Sequence, residues 1–146
     1  DQFISNLKTD YKARDSNIFW ENVKRTKTHG FALTSNTTAF PVIHKGFKPV
    51  ILIPHEMDFV PYHPYTVIQI KEIIEKIYEI PFNNPPKGYQ IPESLIQMIF
   101  ERRTYEKWEK VFNKFNIDCL IVPSNWKIKL KLKFKSKDYA FYKLSS

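Results

Sequence analysis

The sequence predicts a small α/β domain with a mixed sheet, helices packed on it, and an antiparallel hairpin at the C-terminus. Three observations carry that expectation. Short apolar runs alternate with longer amphipathic ones through the first two thirds of the chain, the order that builds strand–helix–strand units. Tyr65 to Glu79 has Val67, Ile70, Ile74 and Ile77 at three- and four-residue intervals, with Lys71, Glu72, Glu75 and Lys76 between them, which is helical periodicity. Trp126 to Phe134 reads W-K-I-K-L-K-L-K-F, a period of two that places Lys127, Lys129, Lys131 and Lys133 on one strand face. Trp126, Ile128, Leu130, Leu132 and Phe134 fall on the other.

The elements follow in order. Residues 1–14 read as a linker or arm from a preceding region. A helix is expected from Asp15 or Ser16, either of which caps it, with Phe19, Trp20 and Val23 as its apolar stripe and Gly30 at its stop. Phe31 to Ser35 is a short strand, Asn36-Thr37-Thr38 a polar loop, and Phe40 to His44 a second extended piece. Pro49 to Pro54 is uninterruptedly apolar, as in a strand buried on both faces. A proline-bearing loop leads to the Tyr65 helix, with Pro64 suited to its first turn. Pro81 closes that helix, and Phe82 to Pro92 forms another proline-rich loop. Pro92 to Phe100 and Thr104 to Phe115 are helical, joined or broken near Arg102. Asn116 is a natural left-handed stop. The strand Ile117 to Val122 follows, and then the lysine strand, the turn Ser136-Lys137-Asp138 and the strand Tyr139 to Leu144. All of this fits one domain over residues 1–146.

Composition narrows the function classes. Hydrophobic content of 42% and aromatic content of 16% are those of a folded globule rather than a disordered tail. The apolar runs, such as Val50 to Pro54, are too short to span a bilayer. The chain begins at Asp1 with neither an initiator methionine nor a signal peptide, and is read as an excised piece of a larger protein. Net charge is +8, yet of the 23 basic residues only Arg14, Arg25, Arg102 and Arg103 are arginine. Nucleic-acid recognition leans on the guanidinium fork, so this balance argues against it. A positive face toward anionic lipid headgroups fits it better. Cys119 is alone in an apolar strand and reads as a small buried hydrophobe.

Few residue constellations suggest chemistry. His55, Glu56, Asp58 and His63 follow an apolar strand, and ligands in open α/β sheets gather beyond the carboxyl ends of strands. Two imidazoles and two carboxylates are metal-ligand or acid/base material, although no pair has the spacing of His-Glu-x-x-His. They are the candidate centre of a small metal-dependent or acid/base hydrolase, the alternative reading. Ser35, Asn36 and Thr37 offer hydroxyls and amides to an anion, without the glycine that phosphate-cradling loops use. Tyr62, with Tyr65, Phe82 and Tyr89, offers aromatic faces to a sugar. Trp20, Trp108 and Trp126 occupy patterned apolar positions and are expected in the core. No catalytic motif is recognised, and neither a metal nor a cofactor is implied.

The order Phe19-Trp20-x-x-Val23-Lys24-x-Thr26, Gly30-Phe31-Ala32-Leu33-Thr34, Lys48-Pro49-Val50-Ile51, Phe115 to Val122 and Tyr139 to Leu144 resembles a known arrangement. It is similar to the soluble C-terminal α/β domain of bacterial polytopic membrane proteins related to lipid-linked-sugar glycosyltransferases. The chain departs from that pattern in lacking a proline after the Thr26 region and in having His55 where a cation is expected. The resemblance implies an extracytoplasmic, membrane-associated domain without catalysis of its own. It would dock or bind acceptor for a glycosyltransferase-like cell-envelope protein. Its partners would be the transmembrane remainder of its own chain and an anionic membrane surface or a glycan.

Overall fold

The computed structural model describes residues 2–51, 67–84 and 91–144. Among these residues, five helices, α1 (Gln2–Arg25), α2 (Asn36–His44), α3 (Val67–Ile77), α4 (Glu93–Arg102) and α5 (Tyr105–Phe115), accompany four strands, β1 (Phe31–Thr34), β2 (Ile117–Pro123), β3 (Lys131–Lys135) and β4 (Tyr139–Lys143). The sheet order is β1-β2-β4-β3. β1 lies parallel to β2, β4 antiparallel to β2, and β3 antiparallel to β4. The mixed sheet with its antiparallel C-terminal pair is therefore as the sequence predicts.

β2 organises both layers. Leu120 and Val122 join Leu33, Ala140 and Tyr142 in a core with Ile74 and Ile77 of α3, Ile96, Ile99 and Phe100 of α4, and Trp108, Val111 and Phe112 of α5. Cys119 and Ile121, one residue out of phase, join Ala32 and Phe141 in a second core with Phe19, Trp20 and Val23 of α1 and Val42 of α2. Because successive strand residues face opposite sides, a strand buried on both must be apolar throughout, and Cys119–Val122 is. All three tryptophans are buried.

Several boundaries differ from expectation. α1 begins at Gln2, not at Asp15. Asp15 caps nothing in that helix; its Oδ2 accepts from the Lys137 N–H at 2.7 Å, in the β3–β4 turn. The segment expected as a polar loop and an extended piece is instead α2. Proline at Pro41 and β-branched neighbours disfavour helix there. Burial of Thr38, Ala39 and Val42 outweighs that preference. Of the expected strand Pro49 to Pro54, Val50 makes a parallel bridge to Ala32, with Ala32 N–H donating to the Pro49 carbonyl (2.8 Å) and Ile51 N–H to the Ala32 carbonyl (3.1 Å). Residues 52–54 lie outside the described residues. α4 and α5 are separate helices: Arg103 is extended (ψ 130°) and Thr104 caps α5. Asn116 has the expected left-handed conformation, φ 53° and ψ 46°.

The lysine strand is only half regular. Of the strand expected from Trp126 to Phe134, only the part from Lys131 is strand, β3 ending at Lys135; Trp126, Ile128 and Leu130 precede it and pack toward the α3–α5 core. Between Leu132 and Phe134 the pairing slips: Leu132 faces Tyr142 while Phe134 faces Phe141, the next residue along β4. Lys133 is thus the extra residue of a bulge, which reverses the facing of everything beyond it. Phe134 turns to the opposite core, stacked on Phe141 at 4.6 Å with planes 9° apart and 5.4 Å from Phe19. Leu132 is left 42% exposed on the edge. The single apolar face expected from Trp126 to Phe134 is therefore split between two faces of the sheet.

Three substitutions test this packing. Phe141→Ala should cost about 3–5 kcal/mol, as truncation of a fully buried ring does. Leu132→Lys should leave stability within about 0.5 kcal/mol, and urea denaturation of both variants checks the pair. Gly30→Ala should cost about 1–3 kcal/mol. A Cβ there runs into the Asn116 carbonyl oxygen, which also accepts the Phe31 N–H at 2.8 Å to open β1 beside β2.

Candidate functional site

Two basic features stand out. The first is the edge of the sheet. Lys127, Lys129, Lys131, Lys133, Lys135 and Lys137 are all exposed, and β3 is the terminal strand of the sheet. Proximity of Lys131 lowers the pKa of the Lys133 ammonium, and Lys143 adds to the effect. Lys143 differs from the others because it is partly enclosed. Its Nζ donates to the Lys27 carbonyl (3.4 Å) and lies 3.5 Å from Asp118 Oδ2. That ion pair lacks hydrogen-bond geometry, leaving the buried oxygen unpartnered. Lys48 is buried too, and its Nζ donates to the Thr26 carbonyl and to Thr28 Oγ1 (3.0 Å). Burial lowers its pKa, against the pull of Cys119 and Asp118. Lys48 and Lys143 thus satisfy carbonyls just beyond the C-terminus of α1, where cations are favoured. Their roles are structural, whereas the ladder lysines remain open to a partner.

The second feature is a cleft of about 200 Å³ where α3 meets α5. Lys76 and Glu79 line it from the α3 side; Arg103, Lys107, Lys110 and Lys114 line it from the other. The Arg103 guanidinium lies over Trp108 at 4.6 Å and Phe100 at 5.5 Å. Sequence periodicity missed this site because its cations come from three elements. The available signal was the i, i+3, i+7 spacing of Lys107, Lys110 and Lys114, which gathers them on one helix face.

The candidate residues read from sequence have diverse fates. Ser35, Asn36 and Thr37 do come together, at the N-terminus of α2, where backbone donors favour an anion. The chain itself supplies one. Glu93 accepts from Asn36 N–H through Oε2 (2.8 Å) and from the Thr37 hydroxyl through Oε1 (2.9 Å). Asn36 Nδ2 donates to the Ile91 carbonyl at 2.7 Å. Thr38 Oγ1 accepts from Ser35 N–H (3.0 Å) and donates to the Ile121 carbonyl (2.7 Å). These bonds pin α2 to β2 and to the start of α4. His55, Glu56, Asp58, Tyr62 and His63 lie outside the described residues, as do Tyr65 and Tyr89. Phe82 is half-buried against the α3–α5 core, so it does not stand free as an aromatic platform.

Among the described residues, no group of three His, Cys, Asp or Glu side chains is placed to hold a metal ion. No helix among them is long and apolar enough to cross a membrane. No protein-family model, curated protein or solved structure matches the chain.

Cys119 is fully buried, and burial pushes its thiol up to about 12, with Asp118 adding to the effect. A thiol so protonated is a poor nucleophile. Its neutral form is favoured in the fold, so this contribution to stability is complete below the thiol's ordinary value of 9.0 and is lost as pH rises toward about 12. The loss approaches roughly 1.4 kcal/mol per pH unit. Lys48, shifted downward, contributes with the opposite sign. Denaturation of the protein and of Cys119→Ala at successive pH values above 9 isolates the thiol. The variant should start less stable and the gap should narrow as pH rises; a constant gap would exclude this titration.

Proposed function

We propose that this domain is a non-catalytic docking or acceptor-binding module of a larger polytopic membrane protein. In this reading the parent is glycosyltransferase-like, works in the cell envelope, and places the domain against an anionic membrane surface on the extracytoplasmic side. The observation that carries docking is the exposed lysines from Lys127 to Lys137, along and beside β3, the terminal strand of the sheet among the described residues. Edge lysines also discourage pairing with another sheet, and one or two suffice for that. A dense set of exposed lysines, two of which, Lys131 and Lys133, stand close enough for the first to lower the pKa of the second, is better suited to a surface of matching negative charge. Leu132, exposed among the lysines, adds an apolar contact at the same edge. Attachment to a membrane protein rests on the order of elements, which resembles that of such C-terminal domains.

Vesicle sedimentation tests the docking. The domain should bind phosphatidylglycerol-containing vesicles, more weakly as salt rises, and should ignore pure phosphatidylcholine. Replacing Lys131 and Lys133 together by Gln should weaken binding roughly thirtyfold, since each basic residue near such a surface contributes about 1 kcal/mol. Folding stability should stay within about 0.5 kcal/mol. Equal binding by the variant, or equal binding to both kinds of vesicle, would remove the lysine edge as a docking surface.

A further inference from the structure

The cleft between α3 and α5 contains a cation with incomplete neutralisation. The Arg103 side chain is only 2% exposed. Its Nη2 donates to the Ile77 carbonyl at the end of α3 and lies 3.7 Å from Glu79 Oε2. The same Glu79 oxygen lies 3.4 Å from Arg102 Nη2, so two guanidinium groups share one carboxylate. Arg103 Nη1 has no partner among the described residues. Burial lowers the Arg103 pKa to about 10, with Glu79 opposing the shift. The group is therefore still charged at neutral pH, in a place where an unbalanced charge is costly.

The surroundings increase the imbalance. Lys107, Lys110 and Lys114 stand on one face of α5, and Lys76 faces them from α3. Like charges at three- and four-residue spacing destabilise a helix by themselves. Among the described residues, five cations thus line a cleft whose only carboxylate is that of Glu79. Glu79 occupies its place at some conformational expense. Its φ of 52° is left-handed, a region that suits Gly and seldom a residue like Glu. The turn is secured by Ile80, which is buried and whose N–H donates back to the Ile74 carbonyl at 3.3 Å.

We propose that this cleft is a binding site for the phosphate or diphosphate group of a phosphorylated ligand, with Glu79 as the tethered anion that the ligand's charge supplements or displaces. This site goes beyond the docking edge and does not depend on it. A doubly charged tetrahedral anion supplies the counter-charge that one shared carboxylate lacks. Lysine ammonium groups bind phosphate as point charges and need no fixed fork. The volume, about 200 Å³, is below the roughly 300–1,000 Å³ of pockets that enclose a whole small molecule. The cleft therefore takes the charged group and leaves the remainder of the ligand outside.

Titration calorimetry of the intact chain with pyrophosphate at fixed ionic strength tests the site. Saturable binding should weaken at least tenfold in the double variant Lys107→Glu/Lys110→Glu. It should tighten severalfold in Glu79→Gln, where the competing charge is gone. Lys131→Gln/Lys133→Gln removes charge elsewhere and should bind pyrophosphate as the parent does. Equal weakening by the edge and cleft variants would reduce the effect to overall charge and overturn the site. No saturable binding, or weaker binding by a folded Glu79→Gln, would overturn it as well. Should Glu79→Gln fail to fold, the comparison of the two lysine pairs still decides. Phosphatidic acid vesicles, which present a phosphomonoester at a bilayer, separate the two sources of the group. Loss of vesicle binding in the cleft variant places the phosphate on a lipid, and loss of pyrophosphate binding alone places it on a soluble ligand. The phosphatidylglycerol measurement tests the docking edge separately, because its headgroup phosphate is a diester and its readout is Lys131 and Lys133.

Discussion

Burial of β2 on both faces is the constraint from which the other layers take their places. Cys119 and Ile121 require α1 and α2 on one side; Leu120 and Val122 require α3, α4 and α5 on the other. Its two neighbours pair with its backbone, β1 in parallel between Ile117 and Ile121 and β4 antiparallel from Leu120 to Pro123, as buried backbone polar groups require. The entry to β2 is equally determined. Asn116 ends α5 in a left-handed conformation, and its carbonyl receives the Phe31 N–H at the start of β1. Gly30 is required at that meeting because no side chain fits against the same carbonyl.

Charge is distributed according to that layering. Lysines whose heads reach carbonyls near the C-terminus of α1, Lys48 and Lys143, are absorbed into the fold. Glu93 is absorbed likewise at the N-terminus of α2, where it takes the position a bound anion would occupy. Two concentrations of cations stand apart from these, the lysines along β3 and its flanks and the cleft around Arg103. The two differ in kind. The edge is a solvated row, and its charges are screened by salt. The cleft has a buried guanidinium seated on aromatic rings, where screening is weaker and geometry more selective.

Sequence reading failed where a local preference met a tertiary demand. Asn36 to His44 has the composition of a loop and a broken strand, with Pro41 in its middle, yet it is helical because the sheet face offers burial to Thr38, Ala39 and Val42. Asp15 looks like a helix cap, yet its carboxylate serves a turn far along the chain. Neither outcome is encoded in nearby residues. The Arg103 cleft shows only its α5 face in the sequence, through the spacing of Lys107, Lys110 and Lys114, since Lys76, Glu79 and Arg103 become neighbours only when α3 docks beside α5.

The amino-acid sequence by itself determined the class of fold, the apolar character of β2, the stop at Asn116, and the exposure of the ladder lysines. Each of these depends on short-range physics: side-chain periodicity, left-handed tolerance and solvation of charge. Only the tertiary structure decided the bulge at Lys133, which sends Phe134 to the face opposite Leu130. A strict alternation along one strand contains no information about how many residues its partner offers. Phe141 and Phe19 provide a second buried face for an aromatic ring, and stacking there outweighs the regular register.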